Sequence, residues 1–166
     1  GGGTGDPADG DGGSQEADAV GADGREARLV RPDGLILCYP VITSGEYRHK
    51  GSFEMLLGEN PDPERMEKLS LEKQVTASMP PVFLWHTVTD DTVPVENSLL
   101  LAAALRRAGV SFEMHLYSRG GHGLSLATEE TAGSRENSVE PSCQNWISLV
   151  QSWLERRQQS VGIHFK

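Results

Sequence analysis

Apolar positions in this chain gather into three short runs, and between them the pattern turns helical. "LILCYPVI" over 35–42 follows the turn-forming "RPDG" and carries no charge. An unbroken run of this length reads as a strand buried on both faces. "PPVFLWHT" over 80–87 is a second such run, and "SFEMHLYS" over 111–118 is a third with looser alternation. Between the second and third lies "PVENSLLLAAALRRAG". Its Ala/Leu content, a Pro at the first turn, arginines near the end and a closing Gly109 predict a helix. Strand, helix, strand is a βαβ unit, which implies parallel strands and a right-handed crossover. "PSCQNWISLVQSWLERRQQ" predicts a last helix with Ser142 as N-cap. Trp146, Ile147, Val150, Trp153 and Leu154 form its apolar stripe, set to pack on a sheet face. Residues 46–78 show two short helical patterns, around 52–57 and 63–75, separated by Gly58 and Pro61. They read as a cap-like insertion between the first two strands. The expected class is α/β, with about three parallel strands and flanking helices.

Composition changes this picture at the ends. "GGGTGDPADGDGGSQEADAVGADG" holds nine glycines in 24 positions and almost no large apolar side chain. Such a stretch cannot bury enough surface to offset its ordering entropy, so residues 1–28 read as a disordered segment. The folded region is expected over 29–158, with a short tail over 159–166. Net charge is −9, and residues 1–26 hold seven acids against one base. An acidic chain without a basic cluster argues against nucleic acid or an anionic membrane as partner. No apolar run reaches the roughly 18 residues of a membrane span. Two cysteines, Cys38 and Cys143, make no disulfide framework and no Cys-x-x-Cys motif, which points to a reducing, cytoplasmic setting. The chain starts Gly-Gly-Gly, and its first methionine is Met55. A piece of a longer protein is therefore expected.

Open α/β sheets place their sites at the carboxyl ends of the strands. Asp90 and Asp91 follow the second run, and His122, in "GGHG", follows the third. An imidazole acting as general base needs a carboxylate on its other nitrogen. Asp90 and His122 stand in the acid-then-histidine order of α/β-hydrolases, on loops after consecutive strands. On spacing alone the alternative stays open: an N-capping Asp pair and a surface histidine.

The segments "RPDGLILCYPVITSGEYRHKGSFEMLLG", "FLWHTVTDDTVPVENSLL" and "GGHGLSLA", with the Trp-containing last helix, resemble the C-terminal half of an α/β-hydrolase. The resemblance spans about residues 29–156. It is closest to bacterial acetyl esterases and feruloyl/acetyl-xylan esterases, and more distant to prolyl-oligopeptidase-like enzymes. It implies that Asp90 is the triad acid and His122 the base, with Asp91 a loop neighbour capping the next helix. It implies a carboxylic-ester hydrolase of small acyl or acetylated-sugar esters, a small-molecule ester as substrate, and no cofactor. Two alternatives stand beside it: a non-catalytic remnant, and a peptidase on the same scaffold.

The resemblance also exposes what these 166 residues lack. A Gly-x-Ser-x-Gly elbow should precede Leu35, and no such motif is present. Ser14 in "GGSQE" lacks the second Gly and a leading strand. Ser125 in "GLSLA" lies beside the histidine instead of upstream. Ser44 follows the first strand and would break the chain order. Gly1-Gly2-Gly3 is a faint echo of an oxyanion loop without its His. The missing strand would also leave the edge of 35–42 open, so self-association through that edge is expected. His86 and His115 read as structural, His49 and His164 as solvated. No zinc spacing occurs. "DPADGDGG" resembles a calcium loop, but the twelfth position from Asp9 is Val20, not Glu.

Overall fold

The computed structural model describes residues 31–133 and 138–161. The Gly/Asp-rich segment over 1–28, with Ser14 and the calcium-like loop, lies outside the described residues, as does His164.

Three strands form one parallel sheet in the order β1 (Leu35–Cys38), β2 (Val82–Thr87), β3 (Phe112–Tyr117). The register sets Cys38 opposite Trp85 and Thr87 opposite Tyr117. β2 is the central strand, and all six of its residues are buried. Its alternation sends side chains to two different cores. Val82 and Leu84 pack with Leu101, Leu105 and Val110 on one face. Phe83 and Trp85 pack with Leu124, Cys143, Val150 and Trp153 on the other. The first of these cores is closed by α3 (Glu96–Ala108); after the single turn α4 (Glu129–Ala132), α5 (Trp146–Val161) closes the second, giving helix, sheet, helix. Among the described residues no helix is long and apolar enough to cross a membrane.

Several local expectations need correction. The first run is a strand only over Leu35–Cys38, and Ile36 is 43% exposed. β1 is an edge strand among the described residues, and its side chains are half-buried or exposed, not buried on both faces. The stripe of α5 is Trp146, Leu149, Val150 and Trp153, while Ile147 and Leu154 are exposed. Spacing of i, i+3, i+4, i+7 follows the 3.6-residue period more closely than the wider set did. Ser142 does not cap that helix. It sits in a separate 3₁₀ turn, Pro141–Cys143, where Glu140 accepts from its backbone N–H at 3.2 Å. α3 starts later than its proline suggested: Pro94 precedes the N-cap, Val95. The helix ends as expected, at Gly109 with φ +71°, whose N–H closes on Leu105 and Arg106 carbonyls.

Residues 46–78 fold as α1 (Lys50–Leu57), α2 (Pro63–Lys68) and a 3₁₀ turn at Leu71–Lys73. His49, expected to be solvated, is the N-cap of α1: its Nδ1 accepts from the Ser52 N–H at 3.3 Å. Asp62 caps α2 in the same way, with Pro63 at the first position.

One buried amide holds the loop after β1. Asn97, fully buried in the first turn of α3, accepts from the N–H groups of Ile42 and Thr43 at 2.9 and 3.0 Å. Its Nδ2 donates to the carbonyls of Tyr47 and Pro94 at 2.8 and 3.0 Å. All four capacities of the side chain are used. Removing it orphans buried backbone groups, each costing about 1–3 kcal/mol. Asn97→Ala should therefore lower urea-unfolding stability by about 2–4 kcal/mol with an unchanged m-value. A loss below about 0.5 kcal/mol, the size of a surface substitution, would contradict this account.

Candidate active site

Asp90 lies three residues past the end of β2, and its carboxylate has no solvent exposure. A buried carboxylate is tolerated only where hydrogen bonds replace water. Here four donors do so. The backbone N–H groups of Thr92 and Val93 donate to Oδ1 at 3.0 and 2.9 Å, an Asx-type turn. His122 Nδ1 approaches Oδ2 at 2.8 Å. His86 Nε2 approaches the same oxygen at 3.1 Å. Burial pushes the Asp90 carboxyl up, but the hydrogen bonds from His86, Val93, His122 and Thr92 together outweigh it and hold it at about 2.

His122 reaches Asp90 because its loop is locked to the strand ends. Thr87 Oγ1 donates to the Gly120 carbonyl at 2.9 Å. Thr89 Oγ1 donates to the same carbonyl at 3.1 Å and accepts the Gly120 N–H at 3.0 Å. Gly120 has φ +137°, and a Cβ there would meet Thr87 Cγ2 at 2.7 Å and Leu124 Cδ1 at 2.9 Å. The position therefore requires glycine. Leu124, fully buried, anchors the far side of the loop in the α5 core.

The imidazole of His122 is held edge-on by Tyr39, with ring centroids 5.0 Å apart. Tyr39 rests in turn on Trp85 at 5.1 Å, and Trp85 stacks on Trp146 at 5.3 Å. Such aromatic pairs contribute about 0.5–1.5 kcal/mol each beyond burial. Tyr39 adopts φ +39°, a rare conformation for a bulky residue, at the carboxyl end of β1. With Nδ1 engaged by Asp90, Nε2 of His122 has no hydrogen-bond partner among the described residues, and the side chain is 31% exposed. It faces a cleft of about 630 Å³ whose walls include Thr89, Asp91, Arg119 and Glu140.

The structure thus brings Asp90 and His122 together and leaves Asp91 apart. Asp91 is exposed and, among the described residues, accepts from the Thr92 hydroxyl at 3.3 Å. It does not cap α3, whose N-cap makes no side-chain bond. Neither Ser44 nor Ser125 is hydrogen-bonded to His122. Ser44 is buried with its Oγ 2.7 Å from Ser70 Oγ. Ser125 is exposed at φ +54°, and its carbonyl accepts from Trp146 Nε1. Among the described residues no group of three His, Cys, Asp or Glu side chains could hold a metal ion.

His86 is the residue that sequence reasoning missed. It read as a structural strand-end residue, yet it sits at the centre of the Asp90 network. The available signal was its i, i+4 spacing to Asp90 and a polar ring in an otherwise apolar run.

The depressed carboxyl of Asp90 makes stability depend on pH. Its folded value of about 2 lies below the ordinary 3.8, so its contribution is complete above pH 4 and lost as pH falls toward 2. The amount is on the order of 2 kcal/mol. Urea unfolding followed from pH 5 to pH 2 should show this loss in the wild type and a shallower acid limb in Asp90→Asn. Equal acid limbs would mean that Asp90 is not specially stabilised as the carboxylate.

Three comparisons bear on this site. A family model described as "Prolyl oligopeptidase family" matches residues 42–139. Endo-1,4-beta-xylanase B of Butyrivibrio fibrisolvens is 52% identical over 100 residues, covering 60% of this chain and 16% of that protein. The acetyl ester-xyloside bifunctional hydrolase of Caldicellulosiruptor lactoaceticus superposes with a TM-score of 0.65 at 45% identity, over 80% of this chain and 43% of that one. A carboxylesterase of Lactobacillus plantarum superposes with a TM-score of 0.65 at 28% identity, over 76% and 45% of the two chains. The sheet, its flanking helices and these neighbours share the α/β-hydrolase fold. The chain spans less than half the length of each of these relatives.

Proposed function

The chain belongs to the prolyl oligopeptidase family of α/β-hydrolases, and on that premise we propose that it carries the acid and base of a serine ester hydrolase. The observation that carries this reading is the Asp90 Oδ2–His122 Nδ1 contact of 2.8 Å, which leaves Nε2 open to the cleft. Asp90 holds the tautomer with hydrogen on Nδ1, so the Nε2 lone pair is the base. A serine hydroxyl beside it would give its proton to Nε2 as its oxygen bonds the acyl carbon. The imidazolium would then return that proton to the departing alkoxide. Water repeats the sequence on the acyl-enzyme and frees the acid.

Small acyl esters, acetylated sugars in particular, are the proposed substrates. Neighbours described as an acetyl ester-xyloside hydrolase and a carboxylesterase favour an ester over a peptide. The nucleophile is proposed to come from sequence that the longer relatives have and these 166 residues lack. The chain alone is then without esterase activity, because triad members act as a unit.

A fluorophosphonate probe should accordingly leave the chain unlabelled. Coexpression with the Gly-x-Ser-x-Gly-bearing portion of the 45%-identical relative should restore labelling and p-nitrophenyl acetate hydrolysis. In that assembly His122→Ala should lower turnover roughly 10⁶-fold and Asp90→Ala roughly 10⁴-fold. Labelling of the chain alone at Ser44 or Ser125, lost in His122→Ala, would place the nucleophile here instead. A folded, inactive assembly would favour the non-catalytic remnant.

We also propose that the open edge of β1 drives self-association. The N–H groups of Leu35 and Tyr39 bond to β2-side carbonyls, so by alternation those of Ile36 and Cys38 face outward. Ile36 is exposed beside them. Sedimentation should show mass rising with concentration, and Ile36→Lys should suppress the rise by placing a charge on the edge. A wild-type chain that stays monomeric at every concentration removes this reading.

A further inference from the structure

We propose that His86 is a positioning residue: a buried, neutral imidazole that donates its Nε2 proton to the same Asp90 oxygen that orients His122. The inference rests on the reading of Asp90 and His122 as acid and base, and assigns their geometry to a third side chain behind them.

His86 is fully buried in β2, directly after the apolar Val82, Phe83, Leu84 and Trp85 and before the buried Thr87. An apolar side chain would fill such a site without the cost of burying two ring nitrogens. A polar ring is tolerated there because both nitrogens are satisfied. Nδ1 lies 2.8 Å from the Ser98 hydroxyl, and Nε2 lies 2.9 Å from the Val93 carbonyl and 3.1 Å from Asp90 Oδ2.

A carbonyl can only accept, so the Val93 contact places the hydrogen on Nε2. That hydrogen is shared between Val93 O and Asp90 Oδ2. In the neutral ring proposed here Nδ1 is then the acceptor, and the Ser98 hydroxyl donates to it. Donation therefore runs from Ser98 to His86 to Asp90, and from the other side from His122 to Asp90. Hydrogen bonds in such a chain polarise one another in a low-dielectric interior. Ser98 stands in the first turns of α3, so the docking of α3 against β2 fixes the His86 ring plane.

Asp90 Oδ2 already accepts one N–H, so it offers less charge to the second, and the bond from His122 is weaker than sole use of that oxygen would make it. Without His86, Oδ2 would belong to His122 alone, and the two backbone N–H groups on Oδ1 would be the other donors left to Asp90. Asp90 faces both rings, Asp91 adjoins it and is exposed, and Tyr39 meets His122 from the end of β1. Arg119 and Glu140 share the cleft with His122.

Imidazole ¹⁵N–¹H correlation spectra of the full chain test the proposal. In the wild type at neutral pH, His86 should be the Nε2–H tautomer, with a slowly exchanging proton. The Nδ1–H tautomer would overturn the proposal with no variant needed. In His86→Leu the Nδ1 proton of His122 should move downfield as it gains sole claim on Oδ2. His86→Gln keeps a side-chain donor and should bring that resonance back toward the wild-type position. An unmoved His122 resonance in a folded His86→Leu chain overturns the proposal. Should that variant not fold, Ser98→Ala serves: it unpairs Nδ1, and the His86 Nε2 and His122 Nδ1 protons should shift together. Independent behaviour of the two overturns it. Asp90→Asn separates the two levels of inference. A His122 resonance indifferent to Asp90→Asn removes the acid–base reading itself. One that responds to Asp90→Asn but not to His86→Leu removes only the role of His86.

Discussion

A carboxylate withdrawn from water must be given donors, and the arrangement of this chain around Asp90 follows from that need. The four donors come from separate parts of the sequence: His86 from the central strand, the Thr92 and Val93 amides from the turn after it, and His122 from the loop after β3. Moving any one of them leaves a buried charge short of a partner, which costs more than an ordinary hydrogen bond contributes. The carboxylate therefore ties β2, the head of α3 and the loop after β3 into one unit.

The two-faced packing of β2 supports that unit from both sides. Even-numbered β2 residues face α3, which puts His86 beside Ser98 and beneath Asp90. Odd-numbered residues face α5, which puts Trp85 under Tyr39 and Tyr39 against His122. Asp90 is thus set by one core and His122 by the other. Phe83 and Trp153, far from any chemistry, contribute by keeping Trp85 in place. Gly120 completes the arrangement, since the His122 loop passes so close to Thr87 that no side chain fits between them.

The Asp90–His122 contact lies within the described residues, although the chain covers less than half of its solved relatives. The imidazole has one nitrogen bonded to Asp90 and stands beside the cleft. Its usefulness depends on what is placed before the open nitrogen. The cleft beside it has hydrogen-bonding walls that include Thr89, Asp91, Arg119 and Glu140.

Much of this was legible from the chain itself. Unbroken apolar runs mark strands because a parallel strand between two helical layers has no wet face, and Val82–Thr87 obeys that rule in full. Gly109 ends α3 because only a residue at ease with positive φ closes the last turn. Asp90 and His122 stand on loops after consecutive strands, and parallel topology must bring such loops to one edge. Other features were not legible, because they depend on contacts rather than on order along the chain. Leu35–Cys38 is less buried than its composition suggests, since burial is decided by how many neighbours a strand has. Asp90 rather than Asp91 turns inward because the backbone beyond it curls to offer two amides, a choice two adjacent aspartates cannot declare. His86 looked like a bland strand residue because a histidine's role is set by what meets its two nitrogens. Ser98 and Val93 meet them only once α3 has folded back onto β2.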